Sequence, residues 1–246
     1  MPITLPTQVS EVDNRFSSQK VGIIGPPGIG KSEFLSGCSN NLFIQTEAGL
    51  NHLRVMKVPC RSFGDLREIL TALIQAKQAG KLLYEAVTLD TIDEFLDIIN
   101  EEVIRRGREK FQKIANDINT IGDIPNGAGW QWSTELIKLT LDKLESLEIA
   151  LFWIGHMDMK EVKTATDKYH KSTLSIGGKT GLSLLSWPDH LLNIEASYNG
   201  SKLIRKVRTR PTQYLDAKSR GGVVPDGWLW SDDMKENWTK FRGLFT

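Results

Sequence analysis

The stretch Val21–Ser32, VGIIGPPGIGKS, constrains this chain more than any other. Val21–Ile24 is uniformly apolar and reads as a buried parallel strand. It runs directly into Gly25, Pro26, Pro27, Gly28, Ile29, Gly30, Lys31 and Ser32, with Glu33 next. This is the Gly-x-x-x-x-Gly-Lys-Ser spacing of a phosphate-cradling loop. Gly25 and Gly30 permit backbone geometry and a closeness of approach that a side chain would block. The loop N–H groups can converge on an anion, and a helix from Lys31 to about Gly37 or Ser39 would add its positive end. Lys31 supplies charge for β- and γ-phosphates, and Ser32 a hydroxyl for Mg2+. The competing reading is a tight Gly/Pro turn. The strand before the loop and the helix after it favour phosphate binding.

The following segments alternate strand and helix, which predicts an α/β fold with a mostly parallel sheet. Asn41–Thr46 is a second apolar strand and ends at Glu47. A carboxylate at the carboxyl end of a central strand stands where such sheets bind ligands; Glu47 can equally be a turn or helix-cap residue. Val55–Val58 reads as an edge strand. A helix capped by Asp65 carries Leu66, Ile69, Leu70, Leu73 and Ile74 on one face and stops at Gly80. Tyr84–Thr91 reads as a strand ending in Asp90, the place of a Mg2+-associated acid. Thr91 either orients neighbouring groups or caps the next helix, in which Asp93 and Glu94 read as favourable first-turn charges. Thr134–Leu147 is an amphipathic helix. It feeds the strand Glu148–Gly155, which ends at His156, either a sensor of the γ-phosphate or a structural histidine.

Two regions carry candidate nucleic-acid cations. The first is Arg105, Arg106, Arg108, Lys110 and Lys113, followed by a turn-rich stretch with Trp130 and Trp132. Cations interleaved with aromatics suit single strands; a solvated helix and a loop packed on the core is the plainer alternative. The second is Met157–Thr180, read as a long loop with Lys160, Lys163, Lys168, Lys171 and Lys179. These lysines either meet a phosphate backbone or keep the loop soluble. The segments 190–197 and 202–209 flank Tyr198-Asn199-Gly200, which predicts a hairpin. Lys218 and Arg220 beyond it either reach a neighbouring subunit's nucleotide or bind an acid locally. Residues 1–20 read as a loose arm, 21–222 as the main domain, and 223–246 as a docking tail with a small helix over 233–241.

Net charge is +1, so composition neither implies nor excludes a nucleic-acid partner. Cys38 and Cys60 match no zinc spacing and read as buried apolar residues in a reducing compartment. The start has no basic-then-apolar signal layout, and no apolar stretch is long enough to span a membrane. A cytoplasmic protein is expected.

Together, GPPGIGKS at 25–32, FIQTEAG at 43–49, VTLDT at 87–91, FWIGHMD at 152–158 and RTRPTQYLDAKSRGG at 208–222 resemble the RecA-like P-loop ATPases encoded by bacteriophages. Some of these act in single-strand annealing or recombination. The resemblance implies ATP and Mg2+ as cofactors and a RecA-like core with helices on both faces and a C-terminal antiparallel hairpin. It implies Glu47 as the activator of water, Asp90 on Mg2+ and His156 as the sensor. It further implies the loop after His156 as part of a DNA channel, and Lys218 with Arg220 as the cation pair donated between subunits of a filament or ring. Gln45 departs from this pattern, since related cores often carry Asp there. A small-molecule kinase and an ATP-gated accessory module with little turnover are the competing functions.

Overall fold

The structure is a computed structural model describing residues 5, 7–9, 11–164 and 167–246. In chain order its elements are β1 (Lys20–Gly25), α1 (Lys31–Leu35), β2 (Asn41–Gln45), β3 (Met56–Pro59), α2 (Phe63–Gln78), β4 (Ala86–Asp90), α3 (Ile92–Lys110), α4 (Ala128–Glu145), β5 (Ala150–Lys163), β6 (Lys168–Leu174), α5 (Gly178–Ser186), β7 (His190–Asn199), β8 (Lys202–Arg208), β9 (Lys218–Ser219), β10 (Trp228–Trp230) and α6 (Met234–Arg242). The main sheet has the order β10-β8-β7-β1-β5-β4-β2-β3. From β7 to β3 all pairings are parallel, whereas β8 and β10 add antiparallel strands at one edge. The mixed α/β sheet and the C-terminal antiparallel pairing agree with the sequence expectation.

Uniformly apolar strands are needed here because both sheet faces are covered. Successive side chains point to opposite faces. Leu42, Ile44, Val87, Leu151 and Trp153 join one apolar layer with residues of α2, α3, α4 and α5. Val21, Ile23, Phe43, Phe152 and Ile154 join the other with residues of α1 and α6.

Several local expectations change. Met157–Thr180 is not a loop: β5 runs on past the sheet and pairs with β6 from Met157↔Leu174 to Lys163↔Lys168, forming a projecting ribbon. The arm is not loose near its end. Phe16 is buried against Phe152, Trp238 and Phe245, and its N–H donates to Thr246 O. Residues 223–246 do more than dock, since β10 completes the sheet edge and α6 buries Met234, Trp238 and Phe241 in the same layer as α1. Trp130 and Trp132 lie in α4, which starts six residues earlier than the sequence suggests. Ser62 is the N-cap of α2, and Asp65 reciprocates from the third position in a capping box. Finally, α1 ends at Leu35, so its macrodipole is smaller than the longer helix would supply.

Cys38 and Cys60 are both buried free thiols, as expected. Burial pushes the Cys60 thiol up to about 11 and the Cys38 thiol up as well. Among the described residues, no helix is long and apolar enough to cross a membrane.

Candidate nucleotide site

The carboxyl ends of β1, β2, β4 and β5 open onto one cleft of about 270 Å³. Its walls include the loop Pro27–Glu33, Glu47, Asp90, Thr91 and His156. Gly25 ends β1 and Pro26 follows it, so the whole predicted loop lies at this end of the sheet. Gly30 is the N-cap of α1 with φ at 101°, a left-handed conformation that favours glycine. A Cβ there would stand 2.7 Å from Met234 Cε, so α6 also holds the loop closely. Arg205 Nε adds a hydrogen bond to Ile29 O.

Lys31 is buried, and its ammonium donates to Gly25 O at 2.8 Å and Pro26 O at 3.0 Å. Burial pulls its pKa down to about 8, while the carboxylates of Asp90, Asp93 and Glu47 oppose that shift. Ser32 Oγ donates to Asp90 Oδ2 at 2.9 Å. Burial raises the Asp90 pKa, and the charge on Glu47 raises it further; the Ser32 hydrogen bond and Lys31 pull it back. A hydroxyl and a carboxylate side by side form a hard-oxygen donor pair. Such a pair fits Mg2+, which is held by one or two protein oxygens plus phosphate and water. Among the described residues no group of three acids, histidines or cysteines forms a fuller metal cage.

Glu47 follows β2 and is brought to Asp90 by the backbone. Thr46 N and Glu47 N both donate to Asp90 O, and Thr46 Oγ1 donates to Thr91 O. Arg61 Nη1 donates to Thr46 O and braces the same turn. Glu47 Oε2 stands 4.0 Å from His156 Nε2. Thr91 precedes α3, yet its hydroxyl makes no capping hydrogen bond and is buried without a partner.

One residue of the cleft wall and one packed behind His156 escaped the sequence reading. His52 lines the wall near Gly49 and Leu50. Asp93, read as a first-turn charge, accepts hydrogen bonds from His156 N at 2.9 Å and from Ser175 Oγ, and lies 3.3 Å from His156 Nδ1. Nothing local marks it, because both partners are far away in sequence.

The remaining candidates lie elsewhere. Lys218 and Arg220 stand at the amino end of the sheet, where β9 pairs with the start of β7. Lys218 Nζ donates to Ser186 O, and Arg220 pairs with Asp189 at 2.8 Å. Arg105 and Arg106 pair with Glu102, Arg105 also with Glu109, and Arg108 donates to Ile118 O. Lys110 lies over the Trp132 ring, so part of this mixture of cations and aromatics is satisfied within the chain, while Trp130 stays exposed. On the ribbon, Lys163 pairs with Glu161 and Lys171 with Asp216. Lys160 donates to Leu174 O, Ser175 O and Ile176 O. Lys168 and Lys179 form no ion pair among the described residues.

A family profile described as AAA domain (AAA_24) matches residues 17–221. The chain belongs to the AAA domain family. This AAA domain protein is 24% identical over 152 residues to the SPbeta prophage-derived uncharacterized protein YorG of Bacillus subtilis (strain 168). That match covers 61% of the chain and 44% of YorG, so the AAA domain chain spans under half of that relative's length. A KaiC-like protein, PH0186 from Pyrococcus horikoshii OT3, aligns over 87% of the chain and 90% of its own, with 12% identity and a TM-score of 0.45.

Proposed function

We propose that this AAA domain chain is a Mg2+-dependent ATPase acting on single-stranded DNA in recombination, annealing or replication, with a site completed by a second copy in a filament or ring. One observation carries the reading: a single cleft gathers the phosphate loop, Lys31, the Ser32–Asp90 pair, Glu47 and His156.

Each residue then has a role its surroundings suit. Lys31 and the loop N–H groups neutralise β- and γ-phosphate charge. Ser32 and Asp90 hold Mg2+, which supplies Lewis-acid charge on the phosphate oxygens. Glu47 aligns and deprotonates water, and His156 senses the γ-phosphate. Lys218 and Arg220 of an adjacent copy stabilise transition-state charge. The projecting ribbon with Lys168, and Lys179 in α5 beyond its root, both outside any ion pair among the described residues, form the surface best placed to meet a DNA backbone. The prophage origin of YorG favours a phage setting, and therefore the host cytoplasm.

The test is ATP hydrolysis against protein concentration, with and without single-stranded DNA, at one stated salt concentration. A steep concentration dependence with DNA stimulation is expected. Glu47→Gln should lower turnover by about 10²- to 10⁴-fold while nucleotide still binds. A flat rate indifferent to DNA refutes the shared site. Unchanged function in Glu47→Gln refutes the hydrolytic role.

A further inference from the structure

We infer that Asp93 is a positioning residue: it holds His156 toward the cleft and ties both feet of the β5–β6 ribbon to one carboxylate, so that nucleotide occupancy reaches the ribbon through it. This rests on nucleotide binding in the cleft, and reaches beyond that reading by naming the link and the segment it moves.

The connection is a closed loop of hydrogen bonds. His156 is the β5 residue from which the ribbon departs, and Ser175 is the residue immediately after β6. Asp93 Oδ2 accepts from His156 N, and Asp93 Oδ1 accepts from Ser175 Oγ. Ser175 N in turn donates to His156 O at 3.0 Å. The imidazole lies between two carboxylates, with Nδ1 3.3 Å from Asp93 and Nε2 facing Glu47 across the cleft at 4.0 Å. A ligand that displaces the Glu47 side of the ring therefore acts directly on the Asp93 side.

The feet are stiff enough to pass a displacement on. A Cβ on Gly155 would stand 2.5 Å from Leu174 Cδ1 and 3.1 Å from Ile92 Cγ2, so strand, ribbon root and α3 are in close contact. Lys160 clamps three successive carbonyls, from Leu174 to Ile176. Beyond this root the two strands pair in unbroken register, making a lever of roughly 20 Å at ~3.3 Å per residue. A charge serving only the helix dipole needs none of these contacts. Glu94, the next residue, is exposed and supplies a control with the same charge in the same turn.

The experiment follows hydrogen exchange of the ribbon amides in the full chain, with and without Mg2+ and a non-hydrolysable ATP analogue. Analogue affinity is titrated in parallel. Wild type and Glu94→Gln should both show a nucleotide-dependent change in ribbon exchange of roughly fivefold or more. Asp93→Asn should still bind the analogue, as the parallel titration shows, and lose that response. Ser175→Ala removes one link without touching charge and should weaken the response; it decides the matter if Asp93→Asn fails to fold. A response retained in Asp93→Asn or undiminished in Ser175→Ala overturns the inference, as does equal loss in Glu94→Gln. If wild type binds no analogue, the titration shows that the nucleotide reading itself has failed, and the inference falls with it.

Discussion

The two ends of the central sheet each present cations, but in opposite physical states. At the carboxyl end, Lys31 is 7% exposed and fixed by two loop carbonyls. At the amino end, the Arg220 side chain is 68% exposed and is held by Asp189. Asp189 N donates to Lys20 O, which puts that pair level with the first residue of β1. The length of β1, roughly 17 Å at ~3.3 Å per residue, separates it from the phosphate loop. The first cation is preorganised, and its desolvation cost is only partly offset by the carboxylates around it. The second is exposed and must exchange its partner before it can act. On the proposed reading, the nucleotide that Lys218 and Arg220 serve is therefore that of another copy of the chain.

The sharpest way to break this comparison is at Lys31. Lys31→Ala should abolish detectable turnover and nucleotide affinity, because among the described residues no other lysine or arginine lines the cleft. Titration and steady-state hydrolysis check this; appreciable turnover would mean that the cleft is not the site. A smaller effect is expected at the amino end. Lys218→Ala with Arg220→Ala should lower turnover by about 10²-fold, less than the strongest arginine fingers, because Arg220 must first leave Asp189. The folded state should barely notice the loss of Arg220, since an exposed ion pair contributes ~0–1 kcal/mol. Mixing that double variant with Lys31→Ala separates action in trans from action in cis. A mixed assembly pairs an intact cleft with intact cations, so activity should return. Two inactive proteins that stay inactive together would remove the shared site.

How far the sequence reveals these features depends on burial. The parallel strands are legible because both faces are covered, so Val21–Ile24 and Leu42–Ile44 are apolar throughout. Glu47, Asp90 and His156 follow from their places at strand ends. The ribbon is not legible, because its outer part is only partly covered, although Thr173 and Leu174 at its root are buried. Met159, Lys160, Glu161, Val162 and Lys163 therefore show no apolar side, and Met159 is half exposed. α4 begins at Ala128, between Gly127 and Gly129, which read as turn residues. Gly127 is indeed left-handed, but Gly129 is helical and lets α4 approach Ile121 O. Phe16 is a single apolar residue in a polar stretch, and its burial depends on Trp238 and Phe245 more than two hundred positions later. Asp93 is obscured in the same way, since its partners lie 63 and 82 residues on.

The smallest effect concerns pH, and it sharpens the contrast at Lys31 from the other side. Burial lowers its folded pKa to about 8, below the ordinary lysine value of 10.5. Between those two values the unfolded chain binds more protons than the folded one. The stability of the nucleotide-free protein therefore rises as pH climbs from about 8 to about 10.5, and Lys31 contributes no slope below that window. Nucleotide binding runs the opposite way, because phosphate favours the charged ammonium. Affinity should be flat below pH 8 and then fall by up to about tenfold per unit. Binding above pH 8 should also take up a proton, visible as a dependence of the calorimetric heat on the buffer's ionisation enthalpy. Lys31→Met should erase the rise in stability that wild type shows in chemical denaturation. A rise that survives in Lys31→Met belongs to another group. Arg220, permanently charged and exposed, gives no such signature.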